Sequence, residues 1–277
     1  MLNHHIIRFI PAPIKVLLRT ISYCFIFANL TSLLTFIQIS RLNNKKGSKP
    51  RTARLQIRRL AGQTIIIRSH TTDARVVFST FVRQFHVPPT NSVSTDASLI
   101  VDLGSNIGLT VADYGQIFPK AMIVGVEMDR DNAALCTINT EHLKSRVHIA
   151  HAAVWTEDGY IQYGKIRGYE DGLSIIRNNQ LQPIETVCVT SLSINTLFNT
   201  TLKNSSFIDF MKMDIEGAEK AVLREHTEWA SRVQCIMVEC HDEYKKQHCM
   251  KDLENLGFKA RYDTSHSACV IGLRTTT

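Results

Sequence analysis

The sequence predicts an α/β fold that is built on a mostly parallel sheet. From residue 99 onward, short apolar runs alternate with segments in which apolar residues recur at helical spacing. Such alternation is typical of a parallel sheet whose strands are joined by helices. The first apolar run leads into a loop with two glycines, and a helical pattern follows at once. This strand, tight turn and helix form the opening unit of a nucleotide-binding sheet.

The other elements follow from the same periodicities. Apolar runs predict further core strands at residues 122–127, 147–154, 207–214 and 233–239. Helical spacing predicts helices at 111–118, 130–142, 218–229 and 243–256, the last capped by Gly257. Extra strands are predicted at 160–164 and 184–189 around a polar loop at 167–182, and an antiparallel pair at 258–262 and 268–273.

The region before the sheet is organised differently. Alternating residues at 54–59 and 63–68 predict a small β-hairpin, and 76–85 has helical spacing. We therefore divide the chain into a basic, apolar helical arm (1–50), a hairpin and helix that pack on the core (51–97), and a main domain (98–277).

The composition indicates an intracellular globular protein. The chain has 277 residues, of which 44% are hydrophobic, so it can bury one sizeable core. Its seven cysteines are scattered, and no pair has the C-x-x-C spacing. This pattern is typical of reduced thiols and argues against a disulfide framework or a zinc site. We therefore predict a cytoplasmic location.

The basic charge is concentrated in the arm. Before Asp73 there are 12 Lys or Arg and no acid, whereas from Asp73 onward there are 20 basic residues and 25 acids. A basic arm on an acidic body indicates an anionic partner, either a membrane surface or a nucleic acid. Residues 20–40 carry no charge and are long enough to span a bilayer, but polar residues dilute the run. For residues 14–40 three alternatives stay open: a soluble or interface-lying helix, a membrane anchor, and a packed extra helix.

The loop after the first strand predicts a ligand site. Its motif is Asp102-x-Gly104-x-Asn106-x-Gly108, not the three closely spaced glycines of a dinucleotide site. An acid before the first glycine suits a cationic ligand such as S-adenosylmethionine, which carries an amino group and a sulfonium. The next strand ends in Glu127, about where a βαβ unit places an acid for both ribose hydroxyls. The two acids together predict one S-adenosylmethionine site.

Ionisable residues also lie at the ends of two later strands. One apolar run ends in Lys212-x-Asp214-x-Glu216, and the next ends in Glu239-x-His241. In open α/β sheets, ligands bind at the carboxyl ends of the strands. If the two strands are neighbours, these side chains share one edge and are candidates for the chemistry.

With these motifs, the sequence resembles the FkbM-type family of S-adenosylmethionine-dependent methyltransferases. The resemblance covers about residues 64–273 and rests on Asp-Leu-Gly-Ser-Asn-Ile-Gly, Glu127, Lys-Met-Asp-Ile-Glu-Gly-Ala-Glu and Val-Glu-Cys-His. It implies a Rossmann-like class I methyltransferase fold with a seven-stranded sheet. It also implies O-methyl transfer to a hydroxyl of a glycan, a lipid or a secondary metabolite. One departure is Ser193, which stands where the family usually has an aspartate.

The resemblance and the chemistry together assign roles to the cofactor site. The methionine part of S-adenosylmethionine is predicted to contact Asp102, Gly104, Asn106 and Gly108. Its ribose is predicted to contact Glu127, and its adenine is predicted to lie near Ala152 and Ala153.

Methyl transfer to a hydroxyl also needs a general base, which contributes about 10²–10⁴-fold. The candidates are Asp214, Glu216 and His241, with Asp214 first because it ends a buried strand. Lys212 lies inside an apolar run, and we expect an acid to pair with it, since a buried unpaired charge is costly. We assign no metal, although mixed carboxylate and imidazole side chains suit several divalent ions.

Two other functions stay open at this point. A nucleic-acid methyltransferase would use the basic arm to hold phosphates, but the body is acidic and the sequence has no Asn/Asp-Pro-Pro-Tyr/Phe base pocket. A non-catalytic protein would retain the cofactor and interact through residues 1–50. The intact acids of both motifs favour an enzyme. Its expected partners are a small-molecule, glycan or lipid acceptor and an anionic membrane surface.

Overall fold

The computed structural model describes residues 23–43, 47–165, 174–175, 185–201, 207–241 and 243–274. The chain divides into two compact units, Met1–Arg83 and Gln84–Thr277. The boundaries that the sequence predicts after residues 50 and 97 stay predictions.

The first unit combines helices with a hairpin. Its elements are α1 (Leu30–Leu42), β1 (Thr52–Gln56), β2 (Thr64–Arg68), α2 (Asp73–Phe78) and a π-helical turn (Ser79–Arg83). Strands β1 and β2 pair antiparallel, with Thr52 opposite Arg68, so the predicted hairpin is confirmed.

The helix of the arm packs within its own unit. Asn29 caps α1 by accepting a hydrogen bond from Ser32 N, as short polar side chains do at helix starts. The backbone N–H of Gln56 donates to Ser32 Oγ at 2.9 Å, and Phe36 and Ile39 are buried. Among the described residues, no helix has both the length and the apolar character needed to cross a bilayer. The buried face of this helix therefore packs within its own unit.

The second unit contains strands β3 (Leu99–Leu103), β4 (Met122–Glu127), β5 (Val147–His151), β6 (Ala153–Trp155), β7 (Gly159–Lys165), β8 (Ser174–Ile175), β9 (Glu185–Ser193), β10 (Phe210–Met213), β11 (Cys235–Glu239), β12 (Phe258–Tyr262) and β13 (Cys269–Arg274). Its helices are α3 (Leu109–Ile117), α4 (Arg130–Thr140), α5 (Ile194–Thr201), α6 (Glu219–Val222) and α7 (Lys246–Asn255).

Seven of these strands form the main sheet, in the order β12-β13-β11-β10-β3-β4-β5. The five central strands are parallel, and β13 runs antiparallel to both β11 and β12. The predicted seven-stranded sheet with its C-terminal antiparallel pair is confirmed. The chain moves outward from β3 to β5 and then returns to the other side of β3. The strand order therefore reverses between β3 and β10, where open α/β sheets bind their ligands.

A second sheet, in the order β6-β9-β7-β8, lies between β5 and β10 in the chain. The extra strands predicted near 160–164 and 184–189 are confirmed as β7 and β9. The strand predicted at 147–154 is in fact two strands, because β5 ends at His151 and β6 belongs to the second sheet. Most of the predicted polar loop at 167–182 lies outside the described residues.

Ser193, the departure from the family pattern, has a structural partner. Its Oγ accepts a hydrogen bond from Thr196 N at 3.1 Å, at the start of α5. Its backbone N–H donates to the carboxylate of Asp158 at 2.7 Å. Serine is a good helix cap, and Ser193 caps the start of α5 in this way.

The helix predicted at 218–229 is wrong in its length. Only α6 (Glu219–Val222) is α-helical, and Thr227–Arg232 forms a 3₁₀-helix. The chain breaks between them because His226 has a left-handed backbone, with φ of 50°. Trp229 is nevertheless buried in the core. The apolar spacing in this segment therefore indicates which residues are buried, but not a continuous helix.

Two apolar clusters cover the faces of the main sheet. Alternation along β3 places Leu99, Val101 and Leu103 in one cluster and Ile100 in the other. Asp102 shares the face of Ile100 and is fully buried. A carboxylate at such a position requires partners, because burying an unpaired charge is costly.

Candidate active site

The site lies at the carboxyl ends of β3, β4, β10 and β11. In the sheet register Lys212 on β10 is opposite Asp102 on β3 and Met237 on β11. The residues that follow these strands therefore meet at one edge, which brings the motif loop and the later acids together.

The motif loop is shaped by left-handed backbone conformations. Gly104, Asn106 and Gly108 have φ of 82°, 49° and 83°. A Cβ on Gly104 would lie 1.8 Å from the carbonyl oxygen of Asp214, and one on Gly108 would lie 2.9 Å from Cys136 Cα. Both positions therefore require glycine on two grounds, the backbone angle and the contact. The first of these contacts places the loop directly against the end of β10.

The amides at the start of this loop are used within the protein. The N–H groups of Gly104 and Ser105 both donate to Val126 O, at 2.9 and 3.0 Å. They are therefore not presented to a phosphate, as the amides of a dinucleotide-binding loop are. Gly104 and Asn106 are partly exposed, which leaves this part of the loop accessible.

Glu127 is hydrogen-bonded to the same loop. Its carboxylate accepts hydrogen bonds from the backbone N–H of Asn106 and of Asp129, both at 2.8 Å. Burial raises the pKa of Glu127 to about 7, although these two bonds lower it. Ala152 and Ala153, which the sequence places near the adenine, are both buried, and Ala152 N donates to Glu127 O at 3.0 Å.

Asp102 is enclosed beneath the loop. Thr110 Oγ1 donates to its Oδ2, and Lys212 Nζ lies 3.5 Å from its Oδ1. Among the described residues, that Oδ1 has no hydrogen-bond partner. Burial raises the pKa of Asp102, and the ammonium of Lys212 lowers it. Since the side chain is fully buried, Asp102 acts on its surroundings mainly through Lys212.

Lys212 pairs with the acid that the sequence predicted for it. Its Nζ lies 2.9 Å from Asp214 Oδ2, and both side chains are largely enclosed. Burial alone would lower the pKa of Lys212, but Asp214 and Asp102 raise it above its ordinary value. Burial alone would raise the pKa of Asp214, but Lys212 and His241 lower it. Asp214 is therefore an ionised carboxylate of low proton affinity.

His241 follows β11 and lies among four carboxylates. Its Nδ1 lies 2.8 Å from Glu219 Oε1, and its Nε2 lies 3.5 Å from Asp214 Oδ1 and 3.6 Å from Glu216 Oε2. Burial disfavours the imidazolium, but the hydrogen bond to Glu219 and the charge of Asp214 raise the pKa of His241 to about 10. The predicted set Lys212, Asp214, Glu216 and His241 is thus brought together at one edge.

Glu219 is the residue that the sequence reasoning missed. It is fully buried and accepts hydrogen bonds from Ile215 N at 3.2 Å and Gly217 N at 3.0 Å, besides its contact with His241. A signal for it exists in the sequence, because it is the last acid of Lys-x-Asp-x-Glu-Gly-x-Glu and opens a helix. Acids are favoured in the first turn of a helix in any case, so the position of Glu219 alone does not indicate a role in the site.

Glu216 and Glu239 complete the edge. Burial and repulsion by Asp214 raise the pKa of Glu216 to about 8 and that of Glu239 to about 7. Glu216 also has φ of 50°, a left-handed conformation that is costly for a residue with a side chain. The neighbouring turn therefore fixes Glu216 in a strained but defined position.

Two groups at this edge offer metal-ligand atoms. Asp214, Glu239 and His241 form one, and Glu239, His266 and Cys269 form the other, each with its ligand atoms within 4.8 Å of one another. Lys212 Nζ already compensates the charge of Asp214 at 2.9 Å. We assign no metal to either group.

The sheet order and the site at its switch point define a Rossmann-like class I methyltransferase fold. The sequence matches the model of the methyltransferase FkbM domain over residues 102–260, more than half of the chain. The chain therefore belongs to the FkbM family of methyltransferases.

No curated protein matches the chain in sequence. Among solved structures, it is similar to precorrin-6y C5,15-methyltransferase from Geobacter metallireducens GS-15, with 10% identity, a TM-score of 0.37 and coverage of 65% of this chain and 81% of that one. It is also similar to the N-terminal domain of human METTL16 in complex with SAH, with 10% identity, a TM-score of 0.39 and coverage of 72% and 67%. A third is the mitomycin 7-O-methyltransferase MmcR, with 12% identity, a TM-score of 0.39 and coverage of 73% and 57%.

Proposed function

We propose that the protein transfers a methyl group from S-adenosylmethionine to a hydroxyl of a glycan, a lipid or a secondary metabolite. The observation that carries this proposal is the contact between the motif loop and the end of β10, where Gly104 lies against the Asp214 backbone. This contact supports a single site that would combine the predicted cofactor loop with the acid–base cluster. A donor and an acceptor bound there would be neighbours.

The donor set at the loop fits S-adenosylmethionine better than a phosphate-bearing cofactor. The carboxylates of Asp102, Glu127 and Asp214 lie near the loop with the ammonium of Lys212 between two of them, an excess of acid that favours a cation, and the amides of Gly104 and Ser105 are occupied. When bound, S-adenosylmethionine supplies an electrophilic methyl group on a positively charged sulfur. The loop would hold its methionine part, and Glu127 would accept hydrogen bonds from its ribose.

The acceptor hydroxyl must lose its proton, and the structure favours Glu216 over Asp214 for this step. Efficient general bases have a pKa near the working pH. The pKa of Glu216 is raised to about 8, whereas the ion pair with Lys212 makes Asp214 a weak base. The ion pair of Asp214 and Lys212 would instead provide fixed charges beside the reacting atoms. His241 would donate a hydrogen bond from Nε2 toward Asp214 and Glu216.

Calorimetry with S-adenosylhomocysteine is the first test of this function. We expect binding in the micromolar range, typical of a small-molecule site, and no tight binding of NAD. Transfer of a labelled methyl group to a panel of glycan, lipid and RNA acceptors then tests the acceptor class. Tight NAD binding without any response to S-adenosylhomocysteine, or transfer to RNA alone, would contradict the proposal.

For the arm, we propose reversible contact with an anionic membrane surface on the cytoplasmic side. The large apolar side chains of Phe25, Leu30 and Leu34 are exposed, and the sequence before Asp73 has basic residues without an acid. Burial of such side chains together with attraction to anionic lipids is typical of interfacial helices. Flotation with phosphatidylserine vesicles tests this, with phosphatidylcholine vesicles and a Leu30→Gln/Leu34→Gln variant as controls. No flotation of the full chain with either vesicle would remove the proposal.

A further inference from the structure

We propose that Glu219 is a positioning residue, whose carboxylate orients both the His241 ring and the turn that carries Glu216. Its consequence for catalysis rests on the proposed methyl transfer, whereas its effect on His241 stands on the geometry alone. The residue does not face the acceptor, because its side chain is fully buried.

The hydrogen bonds of Glu219 leave one arrangement for the His241 proton. Oε1 accepts from Ile215 N and Oε2 accepts from Gly217 N, so both oxygens act as acceptors. The bond between Oε1 and His241 Nδ1, at 2.8 Å, is therefore donated by the ring nitrogen. Nε2 is then the nitrogen that faces Asp214 and Glu216. A carboxylate that accepts from Nδ1 stabilises the imidazolium and, once the ring is neutral, selects the tautomer that keeps the proton on Nδ1.

The same carboxylate fixes the turn from Asp214 to Gly217. Ile215 N and Gly217 N flank Glu216, and both donate to Glu219. Glu216 has φ of 50° and Gly217 has φ of 98°, so this turn is unfavourable without outside support. Glu219 therefore sets the position of Glu216 and His241 together, although it comes from α6 and they come from different strand ends.

The charges that face His241 come from each neighbouring element. Asp214 and Glu216 lie after β10, Glu219 lies on α6, and Glu239 lies on β11 itself, with Lys212 behind Asp214. Of these, Glu219 is the one within hydrogen-bond distance of the ring. Its removal is therefore expected to change the ring more than removal of any other carboxylate in the group.

The test uses the full chain with isotope-labelled histidine, in Glu219→Gln and parent forms. The side-chain amide of glutamine cannot accept three N–H bonds, so His241 loses its charged partner. We expect the pKa of His241 to fall by about one to three units, the usual effect of one nearby opposite charge. The resonance is identified by its loss in His241→Asn. An unchanged titration of His241 would overturn the proposal.

The chain offers a matched control in Asp113, a second buried acid that pairs with a histidine. Asp113→Asn is expected to leave the His241 titration unchanged, and a similar fall in this control would contradict a specific role of Glu219. If Glu219→Gln does not fold, the parent protein still decides, through the nitrogen resonances of its His241 ring. When the ring is titrated to its neutral form, a proton retained on Nδ1 supports the proposal, and a neutral ring protonated only at Nε2 overturns it.

The catalytic consequence is measured separately. With an acceptor from the panel, Glu219→Gln should lower the turnover number about 10²-fold, as misplacement of reacting groups does. Its affinity for S-adenosylhomocysteine should not change. If no acceptor or cofactor reacts at all, the proposed function fails while the titration still tests Glu219. A parent-like turnover number in a variant with an altered titration would remove the catalytic consequence.

Discussion

Two acid–histidine pairs in the same unit have the same short distance and different surroundings. His86 Nε2 lies 2.8 Å from Asp113, and His241 Nδ1 lies 2.8 Å from Glu219. Around His86 the neighbours are rings and backbone: Tyr114 packs edge-on against it and donates its hydroxyl to His86 O. Around His241 the neighbours are further carboxylates, and the ring is partly exposed.

The two pairs differ in the surroundings of the second histidine nitrogen, the one that does not contact the paired acid. His86 Nδ1 is buried and has no hydrogen-bond partner among the described residues. The hydrogen bonds of this pair therefore do not continue to the surface. His241 Nε2 faces two acids at the carboxyl-end edge of the sheet, beyond β10 and β11. The same acid–histidine pairing is thus enclosed in the core in one place and lies beside further carboxylates at the sheet edge in the other. Its surroundings, and not the pair itself, indicate the function.

The largest expected effect is the loss of the base. Glu216→Gln should lower methyl-transfer turnover by about 10²–10⁴-fold, because a neutral amide cannot take the hydroxyl proton. Cofactor affinity should not change. Single-turnover transfer with a parallel S-adenosylhomocysteine titration measures both. Asp214→Asn is the matched variant, and a parent-like rate for Glu216→Gln with a loss for Asp214→Asn would make Asp214 the base.

The next effect concerns the cofactor loop. Glu127→Ala should weaken S-adenosylhomocysteine binding by roughly 1.5–3 kcal/mol, the usual contribution of hydrogen bonds to a charged group. Calorimetry of the variant and the parent measures it, and Asp113→Asn serves as the control outside the site. Equal affinities for Glu127→Ala and the parent would remove Glu127 from the cofactor site.

The structural pair should respond in stability. Asp113→Asn removes the charged partner of a fully buried histidine, and such changes cost about 1–3 kcal/mol. Urea unfolding measures this loss, and methyl transfer should remain at the parent rate. If Asp113→Asn keeps the parent stability but loses methyl-transfer activity, the structural role given to the His86–Asp113 pair would be contradicted.

A further expected effect is a slope of stability with pH. Glu127, Glu216 and Glu239 have a pKa of about 7 to 8 when folded, above the ordinary value of 4.5. The folded state therefore binds more protons than the unfolded state between about pH 5 and 8, and stability falls as pH rises through this window. Glu216→Gln should flatten the slope, which urea unfolding at a series of pH values measures. Stability that rises from pH 6 to pH 8 would contradict these pKa directions.

The sequence was sufficient for the sheet and for most of the edge. The strand ends at Asp102, Glu127, Asp214 and His241 were predictable because parallel strands place their carboxyl ends together. The Lys212 pairing was predictable because a buried ammonium needs an acid. Glu219 was not, because its role depends on a turn and on a neighbouring strand that sequence spacing does not place. The break near His226 was not predicted either, because the spacing of apolar residues does not indicate the left-handed backbone of that residue.

The most direct test of the central claim compares the two histidines in one spectrum. S-adenosylmethionine is added to the full chain with labelled histidine, and His241→Asn and His86→Asn identify the two ring resonances. We expect the His241 resonance to shift as the cation binds beside the edge, and the His86 resonance to stay. A shift of His86 with an unchanged His241 would contradict the assignment of the site to the ends of β10 and β11.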